Sequence, residues 1–404
     1  MLVIQAHILT NTNNELSGML GRAPAFPKPT LQHFLSGKFQ ARMQKSTGDC
    51  IPFLEQVIPL LTYWKSFFYE LSLTVLPKRW SPVLPIGEKG YARIRGKEQL
   101  LPIPSIYKPD LAKRMKKAAN YFNEIATKWP MVRFYVFAIP SKQAVFVETG
   151  AWPDIPTQLF GGCQDLNQFG TLLSKNVAYD WFGKARPAWQ ALDFYYNTDH
   201  HLITPGMYEI YRQLYNLISS RGVGINEVVQ CKNWFVVPNV IFRGSYSRLS
   251  GGYEGATDDL MSCLFELPEY TVTVHGAKHG EGRNKRLAYE TGTMSKDRFF
   301  NHPAEYFGYD RGLIEYAMDK VSKQRNLLIL GDSNDNSIEP LLAAHFSRSY
   351  FVDVRHFAKE TGQRFSLDTF ISQNGITDVL FIGSHWTTVL RDPDAGQDAQ
   401  ERFD

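Results

Sequence analysis

Two short stretches of the 404-residue chain carry residues whose types and spacing could do chemistry. In Tyr196-Asn-Thr-Asp199-His200-His201-Leu202 a carboxylate and an imidazole stand two residues apart. In extended backbone such residues project to the same side. Asp199 could then fix the tautomer of His201 and stabilise its cation, as the carboxylate of a Ser-His-Asp triad does. The other stretch is Asn326-Leu-Leu-Ile-Leu330 followed by Gly331-Asp332-Ser333. An apolar run ending in a tight turn reads as a buried strand, and open α/β sheets bind ligands outside the carboxyl ends of their strands. Ser333 is therefore presented where a nucleophile would stand. Gly331 permits the sharp turn, and backbone N–H groups at the start of a following helix could hold an oxyanion. A serine hydroxyl is a poor nucleophile at its own pKa and needs a base, which the Asp199–His201 pair could supply. Each stretch also has a plainer reading: a strand-ending turn with a capping serine, and a polar loop ahead of a helix.

Asp-His-His occurs as well in manganese-dependent phosphoesterases. Those need further Asp and His ligands from an early strand end, and Ile139-Pro-Ser-Lys142 supplies none. His275-Gly-Ala-Lys-His279 has metal-like spacing only on a helix, and its glycine argues for a surface loop. The chemistry read here calls for no metal and no cofactor.

The elements that must position these residues have an α/β pattern. Asp110 can cap a helix that places Leu111, Met115, Ala118, Phe122 and Ile125 on one face and stops before Pro130. Residues 132–139 follow as a buried strand. Thr204 is placed to cap a second helix, with Pro205 at its first position and Tyr208, Tyr211, Tyr215 and Ile218 at helical spacing. Residues 234–237 read as a short strand. After Ser333 come a helix over 337–346, a strand over 350–354, a helix over 367–373 and a strand over 378–382. This alternation implies a doubly wound, mainly parallel sheet. The run 51–76 reads as an amphipathic helix, since Glu55, Lys65 and Glu70 interrupt it as a membrane span. The first residues lack the features of a signal peptide.

Composition sets the outer bounds. With 44% hydrophobic and 21% charged residues the chain is globular, so collagen, coiled coil and wholesale disorder are excluded. A net charge of +4 is too slight to argue for nucleic acid, and the basic stretches 114–117 and 283–286 read as solvated faces. Aromatic residues reach 14%, a content that can fill a core or stack on sugar rings. Cys50, Cys163, Cys231 and Cys263 show no C-x-x-C spacing and leave the redox compartment open.

Taken in order, these motifs resemble the DHHW family, itself similar to the SGNH-hydrolase-like proteins of alginate and exopolysaccharide O-acetylation. The resemblance is carried by Thr198-Asp199-His200-His201 after paired tyrosines, a glycine-containing helix start, and the later Leu327-Leu-Ile-Leu-Gly-Asp-Ser333. Phe34-Leu-Ser-Gly-Lys38, Ile139-Pro-Ser-Lys142, Phe242-Arg-Gly-Ser245, His345-Phe-Ser and Val352-Asp-Val-Arg355 agree with it, so it spans roughly residues 25–390 in one order. It implies a three-layer α/β/α SGNH-hydrolase-like fold with a mainly parallel sheet. The motif order is permuted, because the Asp–His pair precedes the serine. It further implies a helical extension over 1–100, a catalytic domain over 101–390 and a polar tail over 391–404. Ser333 becomes the nucleophile, His201 the general base and Asp199 its orienting carboxylate, while Asn334, Asn336 and Arg243 are candidates for oxyanion or substrate contacts. The chain departs from the motif at Leu202, where the family has Trp. The activity implied is transfer of an acetyl group to an extracytoplasmic or cell-envelope polysaccharide, with a membrane protein delivering the acetyl group. Its alternatives are an acetyl esterase of the same fold and a non-catalytic polysaccharide-binding or assembly component.

Overall fold

In the computed structural model, which describes residues 83–86, 91–94, 96–102, 111–150, 162–221, 225–250, 255–275, 294–308, 310–318 and 325–384, three short antiparallel strands come first. They are β1 (Val83–Ile86), β2 (Tyr91–Ile94) and β3 (Leu100–Pro102). Ala92, Ile94 and Leu101 join the main core, so the described end of the segment expected to be a helical extension is strand packed on the domain. Residues 1–82, including the helix expected over 51–76 and the Phe34–Lys38 motif, lie outside the described residues, as do Asp110, residues 283–286 and the tail.

The next helix, α1 (Leu111–Lys128), buries the five residues its periodicity places on one face. Phe122 meets Phe381 edge-on with ring centroids 4.8 Å apart. The chain continues through β4 (Arg133–Ile139), α2 (Lys142–Glu148), α3 (Cys163–Leu172), β5 (Val177–Trp181), α4 (Ala188–Leu192) and α5 (Thr204–Ser219). Thr204 does not cap α5 as its sequence position suggests. Ile203 holds the cap position, and the Thr204 hydroxyl instead donates to the Met261 carbonyl at 2.5 Å. Tertiary contact has taken the side chain that local pattern would use.

Then follow β6 (Cys231–Phe242), α6 (Ser245–Leu249), β7 (Asp258–Phe265), β8 (Tyr270–Val274), α7 (His302–Phe307), β9 (Leu313–Met318), β10 (Asn326–Leu330), α8 (Glu339–Ala343), β11 (Arg348–Val352), α9 (Val354–Thr361), α10 (Leu367–Asn374) and β12 (Asp378–Ser384). Seven strands form the central sheet in the order β5-β4-β12-β10-β11-β9-β8. The first five are parallel, and β9 and β8 add antiparallel edges. Along β4, β10 and β12 nearly every side chain is buried, so both faces of the sheet are covered, the usual state of parallel strands. The last strand in sequence, β12, is inserted between β4 and β10. From this centre the chain moves outward to β5 on one side and to β11 on the other, which opens a crevice at the carboxyl ends of the central strands.

Strands β6 and β7 form a separate antiparallel ribbon. The sequence suggests only a short strand at 234–237. The observed strand runs longer because it passes Pro238 and Asn239 through a register shift, with Asn239 at a φ of 63°. Cys231 and Cys263, whose spacing left them uninterpreted, form a disulfide across this ribbon. Among the described residues no helix is long and apolar enough to cross a membrane.

At the amino edge of the sheet Asp378, fully buried at the start of β12, accepts from Arg325 before β10, from Tyr135 of β4 at 3.1 Å and from Thr377 at 2.7 Å. One carboxylate thus ties three adjacent strands. Removing it leaves a buried guanidinium and phenol unpaired. Asp378→Ala is expected to cost about 3–5 kcal/mol of stability, read by urea denaturation.

Candidate active site

The loop bearing Asp199 closes on itself. Tyr195 bridges Leu202, and the Tyr196 N–H donates to the His201 carbonyl at 3.1 Å. Residues 197–201 bend rather than extend, so the Asp–His pairing arises differently from the extended geometry that the spacing suggests. In the bend, Asp199 Oδ1 accepts both the backbone N–H of His201 at 3.1 Å and its ring Nδ1–H at 2.6 Å. Asp199 Oδ2 accepts the Ser245 N–H at 2.6 Å. That last bond requires Gly244, since a Cβ there would stand 2.4 Å from the Asp199 side chain. Thr198 supports the same junction, its hydroxyl accepting the Gly244 N–H at 2.7 Å. The Phe242-Arg-Gly-Ser245 segment therefore matters through its glycine and the serine amide.

Ser333 stands three residues beyond the end of β10. Its Oγ is 2.8 Å from His201 Nε2. The structure thus brings Ser333, His201 and Asp199 into one hydrogen-bonded chain. Asp332 braces the turn. Its Oδ1 accepts from the Asn334 backbone at 3.0 Å and side chain at 2.7 Å, and its Oδ2 accepts the Ser384 N–H at 3.1 Å, tying the turn to the end of β12. Gly331 is needed for close approach: a Cβ there would lie 1.9 Å from Asp335 Oδ2. The helix expected from residue 337 begins at Glu339 and has five residues, because residues 333–338 are spent in turns. Any donors for an oxyanion at Ser333 would therefore come from the turn itself and not from a helix start. The Ser333 backbone N–H meets no acceptor among the described residues.

Electrostatics around the imidazole favour its cation. Burial opposes charging of His201, but the charge and hydrogen bond of Asp199, with Asp332 and Asp310 further off, raise its pKa above the ordinary 6.5. Burial likewise opposes ionisation of Asp199, yet His200 and His201 hold it well below the usual carboxylate range. His200 itself is exposed, 2.8 Å from the Ser245 hydroxyl.

In front of Ser333 and His201 lies a cavity of about 260 Å³ with Leu202, Met207 and Phe307 among its apolar lining and Asn334, Asn336 and His356 among its polar lining. Leu202, standing where the DHHW motif has Trp, thus forms part of the cavity wall. Asn334 gives one amide hydrogen to Asp332, and Asn336 donates to Asp310 at 2.9 Å. Arg243 lies elsewhere. It is buried with its guanidinium 5.7 Å from the Phe299 ring centroid and does not line the cavity.

Two groups offer metal-ligand atoms within 4.8 Å of one another: Asp199, His200 and His201, and Asp310, Asp353 and His356. In the first, both ring nitrogens of His201 are engaged by Asp199 and Ser333. In the second, the Arg355 guanidinium already bridges Asp310 and Asp353. Sequence reasoning missed Lys142, which it quoted only as a strand end, and Asp258, which no local signal marks; both sit behind the Asp199 loop.

No protein-family model and no curated protein matches the chain. Its fold is similar to solved structures of Bacillus cereus PatB1, one of them with a sulfonyl adduct. For that form the identity is 19% and the TM-score 0.55, covering 78% of this chain and 98% of the other. A second PatB1 structure gives a TM-score of 0.56 at 19% identity, covering 77% and 98%. A DHHW family protein from Eubacterium siraeum DSM 15702 gives 0.55 at 19% identity, covering 78% and 96%. The resemblance to the DHHW family is thus present in three dimensions, at the level of the fold.

The electrostatics generate a titration. His201 contributes stability fully below its unfolded pKa of about 6.5, and that contribution is lost as pH rises through its higher folded value. In an NMR titration of the ring Cε1–H, the His201 midpoint is expected above 6.5 in the wild type and lower in Asp199→Asn.

Proposed function

We propose that the chain is a serine-dependent O-acetyltransferase acting on a polysaccharide outside the cytoplasm. The observation that carries this reading is the continuous chain from Ser333 Oγ through His201 to Asp199, opening on a cavity. The likeness to the DHHW family adds the substrate class and the acetyl group. The disulfide between Cys231 and Cys263 favours an oxidising compartment, where such bonds persist.

In this mechanism His201 Nε2 takes the proton of Ser333 as Oγ attacks the carbonyl carbon of an acetyl ester. Asp199, accepting the Nδ1–H, stabilises the imidazolium. The tetrahedral oxyanion is held by N–H groups of the 333–336 turn, with the Ser333 amide as first donor. Collapse expels the donor alkoxide, which takes the proton from His201 and leaves acetyl-Ser333. A sugar hydroxyl then gives its proton to His201 and attacks the acetyl carbon, and collapse expels Ser333 Oγ, which takes that proton from His201 as the new ester leaves. If water attacks instead, the same residues give an esterase. The resemblance to the DHHW family favours transfer over hydrolysis.

A chromogenic acetyl ester, with and without oligosaccharide acceptor, tests this reading. Ser333→Ala and His201→Ala are expected to lower kcat/KM about a thousandfold or more, and a metal chelator is expected to change nothing. Wild-type rates in both variants would defeat the assignment. Acetylated oligosaccharide, detected by mass spectrometry, separates transferase from esterase. The raised His201 pKa places the acid limb of kcat/KM above pH 6.5, since only the neutral ring can take the serine proton.

A further inference from the structure

Behind the Asp199 loop, away from the cavity, two buried charges grip its backbone. Lys142, the first residue of α2, is fully buried, and its ammonium donates to the Tyr196 carbonyl at 2.6 Å and the Asn197 carbonyl at 2.9 Å. Asp258, the first residue of β7, is 5% exposed and accepts the N–H groups of Asn197 at 2.6 Å and Thr198 at 2.7 Å, and the Thr198 hydroxyl. The C=O and N–H of a trans peptide point in opposite directions. Two successive peptide units, 196–197 and 197–198, therefore each set their carbonyl on Lys142 and their N–H on Asp258. The peptides thus lie between the two charges. The next carbonyl, of Thr198, accepts the N–H groups of Tyr246 at 3.0 Å and Ser247 at 3.3 Å. The backbone is held up to the residue that carries the orienting carboxylate.

Such an arrangement is expensive. Unpaired buried charges are destabilising, and a loop needing only to stay folded could use neutral partners. Burial pushes the Lys142 ammonium down to about 7 against the opposing pull of Asp258 and Asp199, and burial raises Asp258. While Lys142 is protonated and Asp258 ionised the charges bring fixed direction: each peptide dipole lies between a cation and an anion, so rotation of either unit loses two charge-assisted bonds together.

We propose that Lys142 and Asp258 are positioning residues, a buried pair of opposite charges that clamps peptides 196–197 and 197–198 between them and so holds Asp199 and His201 in line with Ser333. This rests on the serine mechanism above. Neither residue touches the cavity in front of Ser333, so the clamp acts on alignment and not on substrate binding.

The test uses the full chain and the chromogenic acetyl ester. Lys142→Met and Asp258→Asn are each expected to lower kcat by about ten- to a hundredfold with KM within about twofold, since small misalignments of a reacting group cost rate. The double variant leaves no unpaired buried charge, so its denaturation midpoint is expected to recover towards wild type while kcat stays low. A folded double variant with wild-type kcat would overturn the proposal. Amide hydrogen exchange on the wild type is independent of any variant: the Asn197 and Thr198 amides are expected to be protected at least about a hundredfold. Rapid exchange there overturns the clamp even if no variant folds. Loss of the serine reading, by full activity in Ser333→Ala, is a separate result and leaves the exchange measurement decisive for the clamp.

Discussion

The site depends on one carboxylate having all its work done by short, opposed bonds. Asp199 binds the ring and backbone of His201 with one oxygen and the Ser245 amide with the other. An isolated carboxylate this deeply buried would protonate. Here its two histidine neighbours keep it ionised, and that charge raises the basicity of His201. The geometry holds only because Gly244 has no side chain, which lets the start of α6 approach to bonding distance. Loop, glycine and imidazole are one electrostatic unit.

The sheet supplies the other half. Insertion of β12 between β4 and β10 brings three strand ends together: β10 leads to Ser333, β4 leads to Lys142, and β12 ends at Ser384, whose amide secures Asp332. The Ser333 turn and the support of the Asp199 loop are thus anchored to neighbouring strands of the same sheet. Far from the site, at the opposite edge of these strands, Asp378 holds them in register through Arg325 and Tyr135. Precision at one end of the sheet is backed by a buried polar cluster at the other.

Acidic groups near His201 have a chemical consequence. Asp332 and Asp310 add to the effect of Asp199, so the imidazole is a stronger base but is also more often protonated near neutrality. Asp310 is itself restrained by Arg355 and Asn336. The balance shifts the neutral form of His201 to the alkaline side of an ordinary histidine.

Local pattern was enough for much of this chain. The buried strand ahead of Gly331-Asp332-Ser333 and the buried face of α1 follow from apolar periodicity. Signals of that range survive in sequence because the physics behind them is short-range. On α5, by contrast, only Tyr211 and Ile218 of the expected face are buried, beside Met207, Ile210 and Leu214, and Asp199 meets His201 through a bend and not through extended spacing. Other features depend on partners far along the chain. Ser333 and His201 meet across 132 positions, and Thr204 was drawn from its cap by a carbonyl 57 residues away. Arg243 was turned onto Phe299 and away from the cavity, and Cys231 found Cys263 only through the pairing of β6 and β7. Lys142 and Asp258 carry no motif, since their partners are backbone groups that every residue possesses. The residue types for acyl chemistry were written in the sequence; their distances, their charge states and what holds them there were decided by tertiary structure, because only folding sets which backbone a buried charge can reach.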